Sequence, residues 1–307
     1  MPTLFDLIPV PVYLLLAGVA CAWALVMVGI AVLEAHVIRR VPDEGHRPAL
    51  AASGLLWIMR VYARYWHRLD ASGMDHLPAP HLMGDERGRP IGDGRPVVIV
   101  ANHTAGIDPL LIQATIDYEP RWMMAADMRA RVLEPLWQYA RIIFVDRTRR
   151  DSASLREAIR HLKAGGCLGV FVEGHIAKPP RHLLPFKEGA GLIIRKTGAL
   201  VVPVVIDGTP IAESAWGSIF RRSHSKIRFL EPVDYEHPDR AGLGPQGITD
   251  DLRRRFQRAT GWPDTHMQAD FDEHGRLVWS VSEDAPTPDG SGAADPTEPG
   301  DSATLDA

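Results

Sequence analysis

The chain has 307 residues, of which 46% are hydrophobic and 23% charged, and its formal net charge is −4. This length predicts one main domain of about 200 residues with appendages. The two cysteines, Cys21 and Cys167, exclude a disulfide framework and a cysteine zinc site, and we predict no nucleic-acid partner.

Charge is unevenly distributed along the chain. Seven acidic residues and no Lys or Arg follow Arg276, so the preceding residues carry 34 basic against 31 acidic side chains. From Val281 onward, Pro, Gly, Ser, Thr and acidic residues cannot bury a core. We therefore predict an acidic, disordered tail.

The first predicted element is an uncharged, proline-free stretch of 22 residues, 12–33. It is long enough to cross the ~30 Å apolar core of a bilayer as a helix. No Lys or Arg precedes it, so a retained anchor is favoured over a cleaved signal peptide. Arg39 and Arg40 follow it, which places the rest of the chain in the cytoplasm. A hairpin or in-plane helix that never fully crosses is the alternative.

The next segment predicts an amphipathic helix. Apolar residues recur at helical spacing over 55–69, while Arg60, Arg64 and Arg68 line up on another side. Aromatic side chains beside a row of arginines suit the surface of an anionic leaflet. An ordinary helix packed on the main domain is the alternative.

A short apolar strand then runs into a polar turn and a helix. Residues 97–101 are β-branched and predict a buried strand, and Pro109 favours Asp108 as a helix N-cap. The turn between them holds His103 and supplies the bend that lets Asp108 reach it. Imidazole can take a proton from a weak nucleophile, and a neighbouring carboxylate orients it and stabilises its charged form.

Strands and helices alternate through the rest of the main domain, which predicts an α/β fold with a mixed, mostly parallel sheet flanked by helices. We predict strands at 121–125, 141–147, 167–172 and 200–206, and a final edge strand at 226–230. We predict helices at 128–140, at 152–164 with Ser152 as the cap, from 185 to about 196, and at 249–259.

The segment Asn102-His103-x4-Asp108 resembles the NHx4D motif of the glycerolipid acyltransferase family. Four further segments resemble three more motifs of that family, and the stretch that follows the third motif, in the same order. Residues 141–147 resemble G-x-I-F-I-D-R, with Arg141 in place of glycine. Residues 171–177 resemble F-P-E-G-T-R-S, with Ile176 in place of the arginine. Residues 185–190 and 202–204 resemble F-K-x-G-A and V-P-V.

The resemblance implies an enzyme that moves a fatty acyl group from acyl-coenzyme A or acyl-carrier protein to a lysophospholipid hydroxyl, with lysophosphatidate as the leading acceptor. His103 and Asp108 are the implied catalytic residues. The implied substrate-binding residues are Arg147, Glu173, Gly174 and Lys187. No metal or redox cofactor is implied.

Together with the residue patterns above, the resemblance divides the chain into four parts. We predict a membrane anchor at 1–40, a linker and interfacial helix at 41–72, an acyltransferase domain at 73–262 and the acidic tail at 263–307. The implied location is the bacterial inner membrane, with the domain on the cytoplasmic side and membrane phospholipids as partners.

Three alternatives to this function are transfer to another lipid or alcohol, hydrolysis of a thioester or lipid, and a catalytically silent membrane-binding protein.

Overall fold

The computed structural model describes residues 18, 21–25, 28–29, 49–78, 95–117, 120–147, 151–212, 214–265, 267–271 and 277–281. The predicted anchor at 12–33 therefore lies largely outside the described residues. Within the described ranges, no helix combines the length and the apolar character needed to span a bilayer.

A seven-stranded sheet forms the centre of the molecule. Its strands follow the spatial order β1-β7-β6-β2-β5-β3-β4. Neighbouring strands from β6 to β4 are parallel, whereas β7 is antiparallel to β6 and parallel to β1. The predicted mixed, mostly parallel sheet is confirmed. The strands are β1 (Asp70–Ser72), β2 (Val97–Ala101), β3 (Arg121–Ala125), β4 (Ile143–Val145), β5 (Cys167–Phe171), β6 (Leu200–Asp207) and β7 (Lys226–Phe229).

Helices cover both faces of this sheet. The described helices are α1 (Ala49–Tyr65), α2 (Asp108–Thr115), α3 (Glu134–Tyr139), α4 (Ser152–Lys163), α5 (Glu188–Thr197) and α6 (Pro245–Thr260). In the central strand β2, Val98 and Val100 pack with residues of α4, α5 and α6. Val97, Ile99 and Ala101 pack instead with residues of α1 and α2. Side chains of a strand alternate between faces, so a β2 that is apolar throughout is buried on both.

Proline and backbone geometry shorten two predicted elements. The helix predicted at 128–140 is instead two 3₁₀ turns followed by α3, because Pro135 can occupy only the first turn of an α-helix. The strand predicted at 141–147 is reduced to β4. The strand predicted as the sheet edge, β7, is an inner strand because β1 pairs with it through Ala71 and Ile227.

Two predicted helix caps are displaced by one residue. Asp151, not Ser152, caps α4 and accepts hydrogen bonds from the backbone N–H groups of Ala153 and Ser154 at 3.0 Å each. The helix α2 begins at Asp108 itself, so Ile107 occupies the N-cap position.

The predicted row of three arginines does not form on α1. The helix ends at Tyr65, and Arg68 lies beyond it with φ of +43°. Arg60 donates hydrogen bonds to the carbonyls of Ala114 and Ile116, at the end of α2. The helix α1 therefore packs on the domain, as the alternative prediction has it.

Part of the predicted tail is structured. Strands β8 (Met267–Phe271) and β9 (Leu277–Val281) pair as an antiparallel hairpin inside the range assigned to the tail from residue 263. The alternation of apolar and polar residues in β8 favours a strand. Residues 282–307 lie outside the described ranges.

Arg141, which replaces the glycine of the second motif, has φ of +51°. A side chain in this left-handed region costs free energy that glycine avoids. Arg141 follows Ala140, the C-cap of α3, and leads toward β4. Its carbonyl accepts a 2.7 Å hydrogen bond from Nε of Arg121. This left-handed conformation explains why the family motif has glycine at the position of Arg141.

We expect Arg141→Gly to raise the free energy of unfolding by about 1 kcal/mol, because it removes the Cβ from a left-handed residue and leaves the carbonyl in place. Arg141→Ala is the matched control, since it removes the guanidinium but keeps the Cβ. Urea unfolding of the detergent-solubilised chain measures both variants. Equal stability of the glycine and alanine variants would contradict the prediction.

Candidate active site

The site residues lie at one edge of the sheet. Parallel strands end on the same side, and open α/β sheets bind their ligands beyond the carboxyl ends of those strands. His103 follows β2 and Arg147 follows β4. Glu173 and Gly174 follow β5, and Lys187 directly precedes α5. The topology thus brings together residues that are far apart in sequence.

Asp108 organises the turn that follows β2. Its carboxylate is fully buried, and Oδ2 accepts hydrogen bonds from Nδ1 of His103 at 2.9 Å and from the backbone N–H groups of Thr104 at 2.7 Å and Ala105 at 2.9 Å. The carboxylate faces back into the turn instead of capping α2. The predicted pairing of His103 with Asp108 is therefore present in the structure.

This pairing determines the tautomer of His103. Because Nδ1 donates its proton to Asp108, the lone pair of the neutral ring lies on Nε2. The side chain of His103 is 18% exposed, whereas that of Asp108 is buried. The turn therefore presents a proton acceptor at the protein surface and buries the group that orients it.

An aromatic stack packs against the imidazole ring of His103. Phe171, the last residue of β5, lies against the His103 ring with centroids 4.1 Å apart and planes 19° apart. Trp122 of β3 stacks on Phe171 at 5.4 Å. A Cβ on Gly169 would lie 2.4 Å from the Trp122 ring, so only glycine lets the indole cross β5 at this point. The stack restricts the rotation of His103.

Two polar contacts tie the turn to β6. The Asn102 amide donates to the carbonyl of Ile206 at 2.9 Å and accepts from its N–H at 2.8 Å. The hydroxyl of Thr209 donates to that of Thr104, which in turn reaches Asp108. The side chain of Asn102 thus holds the start of the turn against β6, directly before His103.

The carboxyl group of Glu173 lies against the turn that holds His103, and the residue is 1% exposed. Neither of its oxygens has a partner in normal hydrogen-bond geometry within the described ranges. Burial raises its pKa well above the ordinary value, although the nearby backbone N–H groups of His103 and Leu184 act in the opposite direction. Glu173 is therefore packed against the turn with almost no exposed surface, and its contact with a substrate stays a prediction.

Three basic residues surround the loop after β5. Arg147 donates to the carbonyl of Gly174 at 3.2 Å and to Asp127 at 2.7 Å. Lys187 is exposed, and its stem runs beside Gly174. His175 is buried between these groups, and burial, helped by the positive charges of Arg147 and Lys187, lowers its pKa to about 4. His175 is therefore neutral at neutral pH, and the two cations remain.

The structure adds residues to the site that sequence reasoning missed: Thr104, Phe171 as a stacking partner, Trp122 and Thr209. Only Phe171 left a sequence signal, because it matches a position of the third motif. Thr209 and Trp122 join the site through the sheet order, which no local pattern encodes. Across the described residues, no group of three or more His, Cys, Asp or Glu side chains is arranged to hold a metal ion.

Residues 68–207 match the family model described as Acyltransferase, and this part of the chain is a domain of that family. All six predicted site residues fall inside the match. The family resemblance drawn from the motifs is thereby confirmed.

One solved structure with similarity to this chain is the crystal structure of the 1-acyl-sn-glycerophosphate (LPA) acyltransferase PlsC from Thermotoga maritima. The two chains share 20% sequence identity, and the superposition has a TM-score of 0.49. It covers 75% of this chain and 95% of the Thermotoga chain.

The buried Glu173 predicts a pH dependence of stability. With its pKa raised above the ordinary 4.5, the folded state keeps a proton that the unfolded state releases. The retained proton thus stabilises the folded state fully below pH 4.5, the ordinary pKa. This stabilisation is lost as the pH rises from 4.5 through the folded-state pKa. We expect Glu173→Gln, which stays neutral, to gain stability relative to the unsubstituted chain as the pH rises.

Urea unfolding at a series of pH values measures this difference, in which the other titrating groups cancel. The exposed Glu188 at the start of α5 provides the matched control variant, Glu188→Gln. Parallel stability curves for Glu173→Gln and the unsubstituted chain would contradict the prediction.

Proposed function

We propose that the chain is an O-acyltransferase that moves a fatty acyl group from acyl-coenzyme A or acyl-carrier protein to a lysophospholipid hydroxyl, with lysophosphatidate as the preferred acceptor. The observation that supports this most directly is the Nδ1 contact of His103 with the buried Asp108, which leaves Nε2 as a base at the carboxyl edge of the sheet. The acyltransferase family match and the four motifs support the reaction class.

In the proposed reaction, Nε2 of His103 takes the proton of the acceptor hydroxyl as its oxygen attacks the carbonyl carbon of the thioester. Asp108 stabilises the resulting imidazolium through Nδ1. The tetrahedral intermediate then collapses with cleavage of the carbon–sulfur bond, and the imidazolium returns the proton to the departing thiolate. The amides of Thr104 and Ala105 are occupied by Asp108, so the intermediate's oxyanion requires other donors.

The basic residues after β4 and β5 are the proposed contacts for the acceptor's phosphate. A guanidinium and an ammonium bind phosphate through charge-assisted hydrogen bonds. Arg147 is anchored to the Gly174 carbonyl and to Asp127, and the exposed Lys187 passes the same glycine. Lys187 can therefore compensate for the motif's arginine, which this chain replaces with Ile176.

A different lipid or alcohol acceptor is the second candidate, and the loop after β5 is what favours it. Ile176 stands at the motif's arginine position, and the adjacent His175 is neutral at neutral pH. This loop therefore has less positive charge for binding an anionic headgroup than a loop with the full family motif would have. A comparison of acyl acceptors in a thiol-release assay decides between the two candidates.

The acyl-transfer chemistry is tested with thiol release from acyl-coenzyme A or acyl-carrier protein, with and without a panel of lysolipids. We expect His103→Ala to lower acceptor-dependent release about a thousandfold, because the base is lost. Asp108→Asn should also lower it strongly, since the amide cannot stabilise the imidazolium. His237→Ala, at an exposed histidine away from this edge, should leave the rate unchanged.

Circular dichroism of each variant separates lost chemistry from lost folding, because Asp108 also holds the turn. Release that requires no acceptor would support hydrolysis instead. No release from either donor in any combination would contradict the proposed enzyme and favour a catalytically silent protein.

Lys187 should act on acceptor binding and not on the chemical step. We expect Lys187→Ala to raise KM for lysophosphatidate about fivefold, with kcat unchanged, because an exposed charge contact contributes about 1 kcal/mol. KM for an uncharged monoacylglycerol should not change. Lys196→Ala, at the other end of α5, is the matched control. An equal rise in KM for both acceptors would contradict a phosphate contact.

A further inference from the structure

Large apolar side chains are exposed in two segments that flank the catalytic turn. Val132 is 85% and Leu136 40% exposed in the segment before and within α3. Ile211 is 70% and Phe220 78% exposed in the segment between β6 and β7. Isolated exposed apolar residues are ordinary, but several on one continuous surface mark an interaction site.

A ring contact joins these two segments, and we call their exposed residues Val132, Leu136, Ile211 and Phe220 the loop surface. The Trp137 ring, next to Leu136, packs on the Trp216 ring at 5.9 Å. Trp216 begins the 3₁₀ turn Trp216–Phe220, which ends at the exposed Phe220.

The helix α1 extends this surface toward the N-terminus. The Tyr62 hydroxyl donates to the carbonyl of Ile219, within the same 3₁₀ turn. At the end of α1, the Arg222 guanidinium lies 4.7 Å above the Trp66 ring. Further along the helix, Trp57 contacts Trp23, a residue of the apolar stretch predicted as the anchor.

Among the described residues, the unpaired charge at the rim of the loop surface is positive. Arg131, Arg221 and Arg222 are exposed and form no ion pair with any described residue. The described acids of the α3 segment are already paired, Glu134 with Arg129 and Asp127 with Arg147. Exposed apolar groups rimmed by arginines are complementary to an anionic lipid leaflet.

The loop surface is directly connected to the catalytic turn. A Cβ on Gly106 would lie 2.4 Å from the carbonyl oxygen of Ala215, so this glycine lets the segment before Trp216 lie against the turn. Thr209, at the start of the same segment, donates to Thr104 beside His103. A leaflet that contacts the loop surface would therefore lie next to the proton-accepting histidine.

We infer that the loop surface docks on an anionic leaflet, with Phe220, Ile211, Val132 and Leu136 entering the apolar boundary and the three arginines contacting lipid headgroups. This is a membrane contact made by the catalytic domain itself, separate from the predicted anchor. It places the site where a lysolipid can reach His103 without leaving the bilayer. The inference takes the lipid acceptor from the proposed function.

The test places an environment-sensitive NBD fluorophore at Phe220→Cys in the full-length chain. Cys21→Ser removes the exposed native thiol, and Cys167 is buried, which raises the pKa of its thiol and keeps it from reacting. The labelled chain is reconstituted into phosphatidylcholine vesicles with about 30% phosphatidylglycerol. The same label at Lys196→Cys, exposed at the far end of α5, is the matched control.

We expect a blue-shifted, several-fold brighter emission from the Phe220 label, quenched by spin-labelled lipid and weaker in vesicles without phosphatidylglycerol. The Lys196 label should show neither effect. The inference is overturned if the two labels behave alike, if phosphatidylglycerol makes no difference, or if the Phe220 label responds to acyl-carrier protein and not to vesicles. The fluorescence needs no turnover, so a chain that docks but transfers no acyl group would overturn only the proposed function.

Discussion

The turn that holds His103 depends on one buried carboxylate. Removing an ionised carboxylate from water costs several kcal/mol unless hydrogen bonds replace its hydration. In Asp108, the His103 ring and the backbone N–H groups of Thr104 and Ala105 replace that hydration on a single oxygen. The same three contacts curl the chain between β2 and α2 and hold the imidazole. The contacts that fold the turn therefore also orient the imidazole of His103.

The rest of the site is assembled around this turn by the parallel strands. The order β6-β2-β5-β3-β4 brings five carboxyl ends to one edge, and each strand adds a component. Phe171 of β5 stacks on His103, and Trp122 of β3 supports Phe171. Arg147, after β4, reaches across to the carbonyl of Gly174 after β5. The loop that follows β6 contacts the turn and carries the exposed apolar residues that we infer to meet lipid.

Local patterns predicted much of the fold. The strand at 97–101, its burial on both faces and the helix that begins beside Pro109 follow from β-branched residues and the fixed φ of proline. The errors have equally local causes, since Pro135 cuts the predicted helix at 128–140 and the left-handed Arg141 shortens the following strand. The strand at 226–230 was misplaced at the sheet edge because its partner, β1, has only three residues and no strong pattern.

By itself, the sequence determined the pairing of His103 with Asp108 and the likeness to an acyltransferase, because the two residues are five apart and meet through a short turn. Only the tertiary structure decided what surrounds them. The burial of Glu173, the aromatic stack on His103, the link from Thr209 and the surface formed by Leu136 and Phe220 all join residues from different strands and loops. Such contacts depend on strand order and on which face a side chain occupies, and these are settled only when the whole core packs.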